Sequence, residues 1–115
     1  EAGLVFTGRP AEAIAAMDAD ILEAIAPAFL DHYPREAERL QAALAKGDAS
    51  ATRQLAHPLK GTLGAFGAEP AMRRANELEA LARAGDLANA EPLARQVFES
   101  AGRLVDAIKA RTGAT

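Results

Sequence analysis

The 115-residue sequence predicts an all-α fold, an antiparallel, up-and-down four-helix bundle with a short extra N-terminal helix. Three observations lead there. Half of the residues are apolar, yet alanine dominates them and β-branched residues are few, a balance that favours helix over strand. Apolar residues recur at three- and four-residue spacing along most of the chain, as helices with one buried face require. Gly47-Asp48 sets a helix stop beside a helix start and Gly85-Asp86 marks another stop, and the short connections force neighbouring helices to run opposite ways.

Pro10 suits the first turn of a short helix over about residues 10 to 16, with Ile14 and Met17 facing inward. Asp18 or Asp20 can cap the next helix, and Asp20 with Glu23 has the capping spacing. Its stripe is Leu22, Ile25, Phe29, Tyr33, Ala37, Leu40 and Leu44, running to Lys46-Gly47. That makes a long helix; Pro27 and Pro34 fall inside it and each removes a hydrogen bond, so a bend at one or both is expected, with two shorter helices as the fallback. A third helix runs from Asp48 to about Gly67, and Glu69-Pro70 opens a fourth with Ala71, Ala75, Leu78, Leu81 and Ala82 on one face. Asn89 to Pro92 open the last, whose stripe is Leu93, Val97, Ala101, Leu104 and Ile108. Lys109, Arg111 and Gly113 suit its C-terminus. The bundle therefore spans about residues 18 to 111 of a single domain, 1–115.

Composition removes several functions. A net charge of −3 with no basic cluster argues against nucleic acid. No apolar run is long enough for a membrane, so no membrane contact by this domain is expected. The absence of cysteine excludes a thiolate nucleophile and a Cys-ligated zinc. Two histidines far apart make a poor metal site, so no metal is expected, and His32, beside Tyr33 and Pro34, reads as surface or packing. The chain starts at Glu1 without methionine, which fits a piece of a larger protein.

The chemistry concentrates in residues 56 to 67, Ala-His-Pro-Leu-Lys-Gly-Thr-Leu-Gly-Ala-Phe-Gly. On an ideal helix of about 100° per residue, measured from His57, Lys60 falls near −60°, Gly61 near +40° and Gly64 near −20°. Leu55, Leu59, Leu63 and Phe66 cluster opposite, at roughly 160° to 240°. Burying that side turns His57 outward beside an ammonium and two positions with no side chain. Glycine costs about 1 kcal/mol against alanine in a helix interior, so two glycines beside one histidine imply that a partner needs room.

With a turn at residues 68 to 69, antiparallel pairing sets His57 level with residue 80, and Asn76, Glu79 and Arg83 come within reach. Glu79 can then accept a hydrogen bond from the imidazole and Arg83 can add positive charge, or either can be a solvated surface residue. Pro58 directly follows His57 inside the helix. It frees the Gln54 carbonyl, and a local kink that pushes His57 toward solvent is expected.

His57, Lys60, Gly61, Gly64, Phe66 and Gly67 together resemble the His-x-x-Lys-Gly pattern, with its following glycines, of the histidine phosphotransfer (HPt) domains of multistep phosphorelays. The resemblance extends from about Asp18 to Ile108 in helix order and length. It implies a phosphoryl carrier in which His57 is the phosphoacceptor, Lys60 gives electrostatic support, and Gly61 and Gly64 give partner access. It also implies that the partners are receiver domains of response regulators or of a hybrid histidine kinase, which supply the aspartate and the Mg²⁺. No cofactor is expected in this chain, nor a kinase activity of its own, since nucleotide-binding glycine motifs are missing. A monomer in the cytoplasm, free or as the cytoplasmic module of a membrane-bound sensor kinase, fits that role. The rival readings are the phosphoacceptor domain of a histidine kinase, chemotaxis type included, and a non-catalytic helical adaptor. In the kinase motif an acidic residue follows the histidine and a proline stands a few residues on; here Pro58 and Thr62 stand there. Arg53, Gln54, Arg73 and Arg74 surround the site and are candidates for partner specificity.

Overall fold

The computed structural model describes residues 10–113, and among them every regular element is helical. The order is α1 (Pro10–Ala16), α2 (Ala19–Ala45), α3 (Ala49–Ala65), α4 (Glu69–Arg83) and α5 (Leu87–Thr112). They form a helical bundle in which α3 packs on α4 and α2, α4 on α5, and α1 on α5.

Aspartates start three of these helices. Asp18 accepts from the backbone N–H of Asp20 at 2.9 Å and of Ile21 at 3.1 Å, so it rather than Asp20 caps α2. Asp48 accepts from Ala51 N–H at 3.0 Å at the head of α3. Asp86 accepts from Asn89 N–H at 3.3 Å and from the Asn89 side-chain amide at 2.7 Å. That cap starts α5 at Leu87, earlier than the opening expected at Asn89 to Pro92, and leaves Pro92 inside the helix. Pro92 is exposed, so the carbonyl it frees can turn to water.

The same reasoning covers α2. Pro27 and Pro34 are both exposed, and the helix is continuous through them rather than divided in two. The buried side is unbroken: Leu22, Ala26, Phe29, Tyr33 and Leu40 join one core with α3, α4 and α5. Phe29 stacks on Tyr33 with ring centroids 5.2 Å apart and meets Phe66, at the end of α3, at 5.0 Å. In α3 the buried residues are Thr52, Ala56, Leu59 and Leu63. Leu55, expected on that face, is only half-buried, because Ala56 takes the closest position.

Two features set α4 against α3. Gly67 adopts φ +73°, the left-handed conformation that favours glycine, and Ala68 N–H reaches back to the Leu63 carbonyl at 3.0 Å, reversing the chain in a tight turn. Buried alanines then line the helices: Ala56 on α3, Ala71, Ala75 and Ala82 on α4, Ala90, Ala94 and Ala101 on α5. Small side chains let helix axes approach closely, which brings polar residues at the rims within bonding range.

The opening helix is tethered from a distance. Arg111 Nη1 donates to the backbone carbonyls of both Ile14 and Met17, at the C-terminal end of α1. The Ile14 carbonyl also accepts from Met17 N–H at 3.2 Å, and the guanidinium at the end of α5 adds a second donor there and one to the Met17 carbonyl just past the helix end. Ile14 and Ala13 are buried beneath.

Candidate functional site

His57 stands in the middle of α3 on the face away from the core, and its side chain is 65% exposed. α3 remains helical through Pro58, which is itself exposed beside the exposed Gln54, so the freed carbonyl lies on the water side. Thr62 reinforces that turn, its hydroxyl donating to the Pro58 carbonyl at 3.1 Å.

Contacts between α3 and α4 follow an antiparallel register. Residue 57 meets 79, residue 60 meets 76, and residue 64 meets 72. The centre of the cluster is Glu79, whose side chain is 5% exposed. Its Oε2 lies 2.8 Å from His57 Nδ1 and accepts from Arg83 at 3.3 Å, while its Oε1 accepts from Lys60 Nζ at 2.9 Å. Lys60 also donates to Asn76 Oδ1 at 3.3 Å. Glu79 is not deep in the protein; the His57, Lys60 and Arg83 side chains roof it over.

The electrostatics follow from that arrangement. The hydrogen bond from Lys60, then that from His57, holds the Glu79 carboxyl below the usual carboxylate range. An ionised carboxylate only accepts, so the 2.8 Å contact requires the proton on His57 Nδ1. In the neutral ring the lone pair then sits on Nε2, which has no hydrogen-bond partner among the described residues. A neutral imidazole with an oriented, unencumbered Nε2 is a nucleophile. Lys60 is 29% and Arg83 64% exposed, so both cations stand at the surface beside it.

The glycines differ from one another. A Cβ at Gly61 would meet nothing within 4 Å, so this position opens directly to solvent beside the imidazole. At Gly64 it would come within 2.9 Å of Met72 Sδ, so the room there is shared with the Met72 side chain. Met72 was not singled out from the sequence, although the register that brings Glu79 within reach of His57 also brings Met72 within reach of Gly64. His32 lies apart, exposed on α2 and 3.5 Å from Asp31. Arg53 and Arg74 are half-buried, whereas Gln54 and Arg73 are exposed. Among the described residues no group of three or more His, Cys, Asp or Glu side chains could hold a metal ion, and no helix is long and apolar enough to cross a membrane.

No curated protein and no solved structure matches the chain. The sequence does match the Hpt domain over residues 13–111; such domains are phosphotransfer modules of two-component phosphorelays and interact with receiver domains. The match runs from within α1 to the last turn of α5, and so takes in every helix of the bundle. The chain belongs to the Hpt domain family.

Proposed function

We propose that His57 carries a phosphoryl group between the aspartates of receiver domains. The observation that carries this reading is the pairing of a 65% exposed imidazole with a carboxylate at its Nδ1, which leaves Nε2 as the free nucleophilic atom. Nε2 attacks the phosphorus of an aspartyl phosphate; the N–P bond forms as the P–O bond to the aspartate breaks, and the aspartate leaves as a carboxylate. The reverse step passes the group to a second receiver. Throughout, the Nδ1 proton stays on the ring, held by Glu79. Lys60 and Arg83 offset charge on the transferring group, Gly61 leaves room for the partner's pocket, and the Mg²⁺ comes with the receiver. An up-and-down antiparallel four-helix bundle presents the site, with α1 as an addition to it. The chain acts as a monomer in the cytoplasm, whether free or as a module of a hybrid sensor kinase.

The test is label transfer from a phosphorylated receiver to the wild-type chain and to His57→Gln. Acid-labile, alkali-stable label on the wild type alone is expected. Equal labelling of the variant overturns the assignment of His57. Lys60→Ala should slow transfer with the fold intact, and an unchanged rate removes Lys60 from the mechanism.

A further inference from the structure

The only two methionines in the chain border the same end of α3. Met72, half-buried in the first turns of α4, lays its sulfur 2.9 Å from the position of a Cβ on Gly64 and so fills the room this glycine leaves. Met17, half-buried between α1 and α2, lines a shallow groove with Ala13, Ala16, Gly64, Ala65 and Phe66. Gly64 thus borders both methionines' surroundings: Met72 fills the room at its Cβ position, and Met17 lines the groove that Gly64 also lines.

This groove lies on the route of any partner that reaches His57. Gly64 shares the His57 face of α3 and is seven residues on, about 10 Å along the axis. A transient protein contact buries roughly 600 Å² on each partner, about a disc of 14 Å radius. Centred on His57, such a disc takes in Gly61, Gly64 and the mouth of the groove. A phosphoryl carrier has to dock two different receivers, a donor and an acceptor, through that one face. Methionine is unbranched, with three rotatable bonds and a polarizable sulfur, and surfaces that accept several partners use such side chains because they repack.

Resting on the receiver-docking reading above, we propose that Met17 and Met72 form an adaptable apolar lip of the docking face, which moulds to the apolar surface of each receiver in turn. Gly64 provides the seat in which the Met72 side chain moves.

Labelling with [methyl-¹³C]methionine gives one methyl signal for each residue, and each of two unphosphorylated receiver domains is titrated in with Mg²⁺. The expected result is that both methyl signals shift or broaden together with the His57 ring signals, by different amounts for the two receivers. His57 responding with both methyl signals unmoved overturns the lip; His57 itself not responding overturns the docking reading beneath it. In transfer kinetics, the double variant Met17→Leu/Met72→Leu should raise KM about five- to tenfold for at least one receiver and alter the ratio between the two, with kcat within about twofold. Matched thermal midpoints show that the variant is folded. A KM unchanged for both receivers overturns the proposal.

Discussion

Replacing Glu79 by glutamine keeps the shape of the side chain and removes its charge, and the consequence can be worked through atom by atom. The carboxylate accepts from His57 Nδ1 at 2.8 Å on one oxygen and from Lys60 Nζ at 2.9 Å on the other. Both neighbours are donors, whereas the amide offers one acceptor and one donor. With the amide oxygen toward His57, its NH₂ faces the Lys60 ammonium. With the amide reversed, the NH₂ faces Nδ1, which must then carry the lone pair, and the ring proton moves to Nε2 and blocks attack. Hydrogen bonds to charged groups contribute about 1.5–3 kcal/mol, which falls to about 1–2 kcal/mol here because the His57 ring is mostly in water. At 1.36 kcal/mol per factor of ten, transfer should slow about five- to thirtyfold. The assay is single-turnover transfer from a phosphorylated receiver by rapid quench, with circular dichroism and thermal midpoints as controls for folding. A Glu79→Gln rate within about twofold of wild type, in a folded protein, refutes the claim that Glu79 orients the nucleophile.

Three further outcomes follow from the same geometry. The folded-state pKa of Glu79 lies below its unfolded value near 4.5, so its stabilising contribution is present above that value and lost as pH falls through the folded one. Urea midpoints should show a gap between wild type and Glu79→Gln that is constant near neutrality and shrinks below pH 4.5; a gap that widens on acidification contradicts the sign. Gly61→Ala meets no atom within 4 Å and should raise stability by about 0.5–1 kcal/mol while slowing transfer, because the methyl stands where the partner docks. Transfer at the wild-type rate would show that the partner does not use that room. Pro58→Ala restores a backbone donor to α3 and should add about 1–3 kcal/mol in denaturant unfolding, and a stability equal to or below wild type counts against this account of the proline.

Much of this protein was legible from local pattern. The stripes through Leu22, Phe29, Tyr33 and Leu40, and through Val97, Ala101, Leu104 and Ile108, are buried as their spacing requires. Asp18 and Asp48 cap because a short side-chain oxygen reaches the first free N–H groups where the helix starts. What periodicity did not resolve were choices between near neighbours. Ala56 rather than Leu55 lies innermost on α3, and Asp86 rather than Asn89 opens α5. The single long α2 was legible too, and the fallback of two shorter helices falls away because a missing hydrogen bond on the exposed side of a long packed helix does not divide it.

The identity of the exposed cluster on α3, His57 with Lys60 and Gly61, was written in residue type and spacing, because one helix determines which of its own residues share a face. How that cluster is wired depended on packing across helices. A whole-residue register could place Glu79 near His57, but only the approach of α3 to α4 decided that one carboxylate would take the imidazole, Lys60 and Arg83 together. The same approach gave the space at Gly64 to Met72, and the fold carried Arg111 across to the carbonyls of α1. The physical reason is one of range: helical angles are set within a few residues of chain. Distances between side chains on different helices depend on axis separation and rotation, which the close packing of the whole core determines.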